Sequence, residues 1–308
     1  ESREGKSMAR GGEARIHWAM IQVLNAAHRA LSGQPLVDKA RLASLVNGPS
    51  FLGGGNLVST SDARRRGVFS TLISELAAKL RDNKPRLQTL YLTVFGFSRG
   101  AAEARVFCHW LDRLWKTVVE ADDRLYGCIP RLRIQFVGLF DTVASVGLAN
   151  SAPVPNDGGF MGWADGTLEL PSRVDRCVHY VAMHEIRKSF PLSTTRKSLC
   201  AVREVMYPGA HSDVGGGYAP GDQGKARSRA DLLSQVPLLH MFREARAAGV
   251  PLADAKELDS IGRAETINDL ALSQELAQRF DEYLQYGPKG GEINKTVLEH
   301  LRWYWRWR

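Results

Sequence analysis

A short apolar run that passes directly into a glycine-flanked serine constrains the fold of this chain most strongly. Residues 89–95 are rich in strand formers and interrupted by no charge, a pattern typical of a strand covered on both faces. Gly96-Phe97-Ser98-Arg99-Gly100 follows at once, and apolar residues at helical spacing continue from Ala101 to Leu114. A strand that passes so abruptly into a helix favours a parallel sheet covered by helices.

Further patterns along the chain complete this fold prediction. Apolar runs predict additional strands at 132–140, 178–182 and 201–206. Helical spacing predicts helices at 14–31, 68–80, 228–248 and 265–285. Residues 47–67, which contain glycine and arginine runs, are predicted to form a loop, and Pro237 predicts a kink in its helix.

The expected fold class is therefore α/β. We predict an α/β-hydrolase-like, mostly parallel sheet with helices on both faces and a C-terminal helical segment. The catalytic domain is expected over residues 1–250, and the helical segment over 251–308.

Composition limits the classes of partner. The net charge of +8 and the pI near 9.4 favour acidic partners such as anionic membranes or nucleic acid. The sequence contains no recognisable nucleic-acid-binding motif, so we predict no nucleic-acid partner. The cysteines at 108, 128, 177 and 200 form no CxxC pair, which predicts neither a disulfide framework nor a zinc site.

The glycine-flanked serine is a candidate nucleophile. A G-x-S-x-G pattern between a strand and a helix is typical of a nucleophile elbow, in which Gly96 and Gly100 let the two elements approach closely. The Ser98 hydroxyl would stand at the helix N-terminus, and the N–H of Arg99 would be the first oxyanion donor. The alternative interpretation is an ordinary turn in which Ser98 caps the helix.

The candidate partners of the serine follow later strands. Asp141 ends the strand predicted at 132–140, and His211 follows the strand predicted at 201–206. Because the carboxyl ends of parallel strands share one edge, both side chains are expected near Ser98. The order serine, aspartate, histidine is that of α/β-hydrolases.

Competing residues remain open for the base and the acid. His179 lies within a strand pattern and is better explained as a packed, hydrogen-bonded histidine. His184 could approach the sheet edge, although its surroundings look helical. Asp213 is the rival acid, but its position near His211 favours hydrogen bonding to the loop main chain.

Several motifs in one order resemble the bacterial α/β-hydrolase family that includes type VI secretion phospholipase effectors. The resemblance covers residues 12–245 and is carried by 12–20, 94–105, 138–145, 183–192 and 208–218. It implies phospholipase A activity with Ser98 as nucleophile, Asp141 as acid and His211 as base. No metal or cofactor is implied.

The same resemblance implies a biological setting. It implies an antibacterial toxin that stays in the cytoplasm of the producer until it is secreted without a signal peptide. The site of action would be the periplasm or the membrane surface of the target cell. An immunity protein and a secretion-spike protein are the implied partners, and a membrane phospholipid is the implied substrate.

One departure from the family concerns the oxyanion hole. Family members begin the hydrolase domain with a strand and an Asp-Gly-Thr-Gly loop, which we do not find upstream of the matched region. We therefore expect the first strand to be missing and the second oxyanion donor to be unassigned. Gly53-Gly54-Gly55 is a weak substitute.

Two other functions remain possible from the residues. A metal-dependent hydrolase would use Asp141, His211 and Asp213 as ligands, although no HExxH motif accompanies them. A catalytically inactive binding or delivery module would fit the missing first strand.

The C-terminal residues 301–308 also allow two interpretations. Their tryptophans (303, 305 and 307) and arginines (302, 306 and 308) could seat at a lipid interface. Alternatively, they form a helix whose aromatic rings cap the hydrolase core.

Overall fold

The computed structural model describes residues 12–47, 58–81, 87–123, 125, 127–144, 168–187, 190–224, 226–287 and 291–307. The strands are β1 (Thr89–Phe97), β2 (Arg131–Phe140), β3 (Cys177–Ala182) and β4 (Val202–Tyr207). The helices before β3 are α1 (Gly12–Ser32), α2 (Lys39–Asn47), α3 (Val58–Leu80) and α4 (Arg99–Leu114), and α4 continues as a π-helical turn (Trp115–Val119). The later helices are α5 (His211–Gly215), α6 (Gln235–Ala247), α7 (Ala255–Ser260), α8 (Ala264–Asp269), α9 (Gln274–Tyr286) and α10 (Ile293–Trp307).

The strands form one parallel sheet, in the order β1-β2-β3-β4 among the described residues. Each strand lies beside its predecessor in the chain, so the carboxyl ends of all of them meet at one edge. The predicted α/β class with a parallel sheet is confirmed.

Helices cover both faces of this sheet. One core lies between the sheet and helices α1, α3 and α4, and it contains Leu24, Phe69 and Trp110. The other core brings Met241 of α6 and Phe280 of α9 against the opposite face. The predicted cover on both faces is therefore confirmed.

A β-bulge in β2 lets this strand contribute to both cores. Leu92 pairs with Ile134 and Thr93 pairs with Phe136, so Gln135 is the extra residue. The bulge reverses the usual alternation of sides. Ile134 consequently lies in the first core and Phe136 in the second.

The prediction of a loop over 47–67 is wrong for its C-terminal part, which belongs to α3. The arginine run there is compatible with a helix because Asp62 pairs with Arg65 and Arg66 of the run at 3.0 and 3.3 Å. Asp62 also pairs with Arg113 of α4 at 3.1 Å. The Arg65 guanidinium also lies 3.6 Å above the ring centroid of Trp110. The run thus faces a partner that is distant in the sequence.

Two other expectations need correction. β1 is not covered on both faces, because Tyr91 and Phe95 are exposed at the end of the described sheet. Pro237 lies in the first turn of α6, where a helix needs no donor from that residue, so it marks a helix start rather than a kink.

The C-terminal segment is helical, but the helix predicted at 265–285 is divided into α8 and α9. None of the described helices has the length and apolarity needed to cross a bilayer. Phe280 of α9 packs into the second core, so the segment contacts the sheet domain. The domain boundary at 250 stays a prediction.

Candidate active site

Ser98 lies in a strained turn between β1 and α4. Its φ of 58° and ψ of −125° are unusual for a residue with a side chain. The turn is held because the Ser98 N–H donates to the carbonyl oxygen of Phe140 at 3.0 Å. A Cβ on Gly96 would lie only 2.5 Å from the Gly100 oxygen and 2.6 Å from Cα of Ala101. Close approach of strand and helix therefore requires glycine at position 96.

The steric requirement does not extend to Gly100. A Cβ added there would meet no atom within 4 Å among the described residues. The sequence-based argument that both flanking glycines must lack bulk is therefore wrong for the second one.

We expect Gly96→Ala to lower the free energy of unfolding by about 3 kcal/mol, the upper end for overpacking, because main-chain atoms must move. The matched control is Gly100→Ala, for which we expect a free energy of unfolding within about 1 kcal/mol of wild type. Urea unfolding of the two variants is the measurement. Equal stabilities would contradict this account of the turn.

A continuous line of hydrogen bonds joins Ser98 to His211 and Asp141. The distance from Ser98 Oγ to His211 Nε2 is 2.8 Å, and the distance from His211 Nδ1 to Asp141 Oδ2 is 2.6 Å. Asp141 and His211 are each only 3% exposed. Because the carboxylate can only accept, Nδ1 carries the proton and Nε2 is left to accept from the serine hydroxyl. The hydroxyl therefore points at a base rather than at the end of α4.

Asp141 is fixed by the neighbouring strand. It has a φ of 40°, and its N–H donates to the carbonyl oxygen of Tyr180 at 2.7 Å. Its Oδ1 accepts from the N–H of Ala182 at 2.9 Å, which leaves Oδ2 for the histidine. The end of β3 thus orients this carboxylate.

His179, a rival base in the sequence, is fully buried in β3 and supports the main chain beside the carboxylate. Its Nε2 accepts from the N–H of Thr142 at 3.1 Å, and its Nδ1 donates to Glu204 Oε1 at 2.9 Å. Burial opposes ionisation of Glu204, but the bonds from His179 and Thr195 outweigh it and lower the pKa of Glu204 to about 2.

His211 begins the short helix α5, at a place where the sequence suggests only a loop. Its ring contacts two aromatic rings, with centroid distances of 4.6 Å to Phe97 and 4.8 Å to Phe190. The main-chain N–H of His211 donates to Glu185 Oε2 at 3.2 Å. Ring and main chain are therefore both held.

The other sequence candidates contact the main chain of this loop rather than Ser98. Asp213 Oδ2 accepts from the N–H of Ala210 at 3.0 Å. His184 Nδ1 accepts from the N–H of Gly209 at 3.0 Å. The helical surroundings expected for His184 are wrong, because residues 183–187 form no helix.

Sequence reasoning missed the group that packs around His211. Glu185 pairs with Arg187 at 2.7 Å, and the Arg187 guanidinium lies 3.9 Å above the ring of Phe190. These residues belong to the motif at 183–192. The motif contributes to the family resemblance, but its residue spacing does not indicate contact with His211, which follows β4.

Among the described residues, we assign no catalytic group beyond Ser98, His211, Asp141 and the Arg99 N–H. Arg99 is the first residue of α4, which places its N–H beside Ser98, while Gly53-Gly54-Gly55 lie outside the described residues. No group of three or more histidine, cysteine or acidic side chains in the described ranges could hold a metal ion.

An apolar groove of about 560 Å³ between α1 and β1 reaches Gly100, but Ser98 and His211 do not line it.

Two solved structures are similar to this chain, and the first of them supports the fold. An uncharacterized protein from Pseudomonas aeruginosa is 35% identical with a TM-score of 0.80, and the match covers 96% of this chain and 43% of that one. The chain thus spans less than half the length of that protein. The Tle1 effector bound to the VgrG spike of the type VI secretion system is 20% identical with a TM-score of 0.45, covering 79% of this chain and 63% of that one.

No curated protein matches the chain. Residues 114–244 match the family model "T6SS, Phospholipase effector Tle1-like, catalytic domain". The matched range contains Asp141 and His211, whereas Ser98 lies before it. The resemblance found in the sequence is thereby confirmed: residues 114–244 are similar to the catalytic domain of the Tle1-like phospholipase effectors of type VI secretion.

Proposed function

We propose that the chain is a serine hydrolase that cleaves acyl esters of membrane phospholipids. The observation that carries the proposal is the hydrogen-bonded line from Ser98 through His211 to Asp141, at the sheet edge where parallel folds bind ligands. The phospholipid substrate is supported by the description of the matching family model.

The reaction begins when the Ser98 oxygen attacks the ester carbonyl carbon and His211 Nε2 accepts the hydroxyl proton. The Arg99 N–H stabilises the oxyanion, and Asp141 stabilises the imidazolium. His211 then gives its proton to the leaving alcohol oxygen of the lysophospholipid. Water attacks the acyl-enzyme, His211 accepts a proton from the water, and the fatty acid leaves as Ser98 recovers its proton.

Delivery by a type VI secretion system is supported by the same family model. We propose that the chain acts on other bacteria, with a secretion-spike protein as carrier and an immunity protein as antidote. It would stay in the producer's cytoplasm and then act at the periplasmic or membrane surface of the target. The test is to export either the wild-type chain or a Ser98→Ala variant to the periplasm of a bacterial host. Growth arrest by the wild-type chain and normal growth with the variant would support this setting.

The proposed reaction is tested by product analysis on phospholipid vesicles. Acyl ester hydrolysis releases a fatty acid and a lysophospholipid, and it should continue when a chelator is present. Phosphorylated headgroup products, or loss of turnover with chelator, would favour metal-dependent hydrolysis instead. A folded protein with no turnover of any ester would favour an inactive delivery module.

A lipid substrate also requires a surface that docks on membranes, and α10 is our candidate. Thr296, His300 and Tyr304 follow helical spacing on its inner face, which packs on the protein. Trp303, Trp305 and Leu298 are exposed, as are Arg302 and Arg306. The inner face of this helix packs on the protein, and we propose that its exposed outer face meets anionic lipid.

We expect Trp305→Ala to lower partitioning onto anionic vesicles by at least about 10-fold, because burying a large apolar side chain contributes about 1.5–3 kcal/mol. The melting temperature should stay unchanged, since this side chain is already 57% exposed. Trp18→Ala is the matched control, because Trp18 is 50% exposed on α1. Equal partitioning of the two variants in a vesicle sedimentation assay would refute the docking surface.

A further inference from the structure

Three consecutive main-chain N–H groups hold the loop that presents His211. Gly209 donates to His184 Nδ1 at 3.0 Å, Ala210 to Asp213 Oδ2 at 3.0 Å, and His211 to Glu185 Oε2 at 3.2 Å. Gly209 has a φ of 108°, a conformation that favours glycine. Two of the three acceptors follow β3, so the position of the imidazole depends on a segment outside its own loop.

His184 continues this set of contacts to the C-terminal helices. Its Nε2 lies 3.1 Å from the hydroxyl oxygen of Tyr283 on α9, and that hydroxyl also contacts Nδ1 of His300 on α10. Because His184 Nδ1 accepts from Gly209, a neutral His184 carries its proton on Nε2 and donates it to Tyr283. The Tyr283 hydroxyl is then free to donate to His300. Every donor in this series has an acceptor.

The surroundings keep His184 neutral, as this series requires. Burial, followed by the neighbouring His300, lowers the pKa of His184 to about 4, while Asp213 opposes the shift. The ring of Tyr304 stacks on the His184 ring with a centroid distance of 5.9 Å and an interplanar angle of 21°. The His184 imidazole therefore has neighbours from three elements. These are Asp213 of the His211 loop, Tyr283 of α9, and His300 and Tyr304 of α10.

We propose that His184 is a positioning residue for His211, and that α9 and α10 thereby form part of the framework of the active site. The inference rests on the proposed function, because it assigns His184 a role in presenting the proposed base. His184 acts only through Gly209 and the loop main chain, so its loss should slow the chemical step without weakening substrate binding.

The experiment uses the full chain and reagents that need no membrane. The labelling rate of a fluorophosphonate probe and the kcat and KM for a short-chain p-nitrophenyl ester are measured for His184→Ala, His184→Asn and Tyr283→Phe. Asparagine keeps an acceptor for the Gly209 N–H but no imidazole. The matched control is Tyr286→Phe, because Tyr286 is an exposed tyrosine on the same helix.

We expect His184→Ala to lower kcat by about 10–100-fold and Tyr283→Phe by about 5-fold, with KM nearly constant. His184→Asn should recover most of the loss, and Tyr286→Phe should match wild type. Wild-type rates in His184→Ala and Tyr283→Phe, or equal losses for Ala and Asn, would overturn the positioning role alone. A wild-type protein that reacts with neither reagent would overturn the proposed function, and this inference with it. Tyr283→Phe removes a single oxygen atom and remains informative if His184→Ala does not fold.

Discussion

Replacing Ser98 with alanine is expected to lower kcat for phospholipid hydrolysis by about 10⁴–10⁶-fold. The variant loses the atom that would bond to the acyl carbon, so His211 and Asp141 have no nucleophile to activate. The Ser98 hydroxyl bonds to the His211 side chain and does not cap α4, so the fold should remain intact without it. The measurement is fatty-acid release from vesicles, with circular dichroism to show folding. Most of the activity persisting in a folded variant would remove Ser98 from the mechanism.

Asp141→Asn is expected to lower kcat by about 10⁴-fold, as an incorrect histidine tautomer does in serine hydrolases. The Ala182 N–H will hold the amide oxygen at the place of Oδ1, so the amide NH₂ must face His211 Nδ1. Two donors cannot face each other, and His211 will shift its proton to Nε2. The histidine would then present a proton to Ser98 instead of accepting one.

The matched control for this variant is Asp213→Asn. Its side chain accepts from the Ala210 N–H, and an amide oxygen can take over that bond. We expect its kcat to stay within about 10-fold of wild type. Initial rates of ester hydrolysis compare the two variants directly. If Asp213→Asn lost as much activity as Asp141→Asn, the rival acid would have to be reconsidered.

The three proposed catalytic positions could be named from the sequence because each follows a recognisable strand. A parallel sheet brings the carboxyl ends of its strands to one edge, so Ser98, Asp141 and His211 needed no knowledge of distant contacts. The tight approach at Gly96 was predictable for the same reason, since it depends only on the local strand–helix turn.

Features that depend on contacts between distant segments could not be predicted. Asp62, in the N-terminal part of α3, pairs with Arg113 of α4, and hydrophobic spacing does not encode such a pair. The exposure of β1 depends on which strands lie beside it, not on its own apolar residues.

The residues that hold the loop of His211 also depend on contacts between distant segments, and they could not be identified from the sequence. His184 meets Tyr283 across 99 residues, and Glu185 meets the His211 N–H across 26. A single sequence identifies such residues as polar and near a strand end, but it does not say which main-chain groups they bind. This is why His184 looked like a rival base.

The most direct test of the central claim is the site of covalent modification. After reaction with a fluorophosphonate, the chain is digested and the adduct is located by mass spectrometry. We predict one phosphonyl group on the Ser98 oxygen, and almost none when His211 is replaced by alanine. An unmodified Ser98 in wild-type protein, or labelling that is unaffected by loss of His211, would contradict the account.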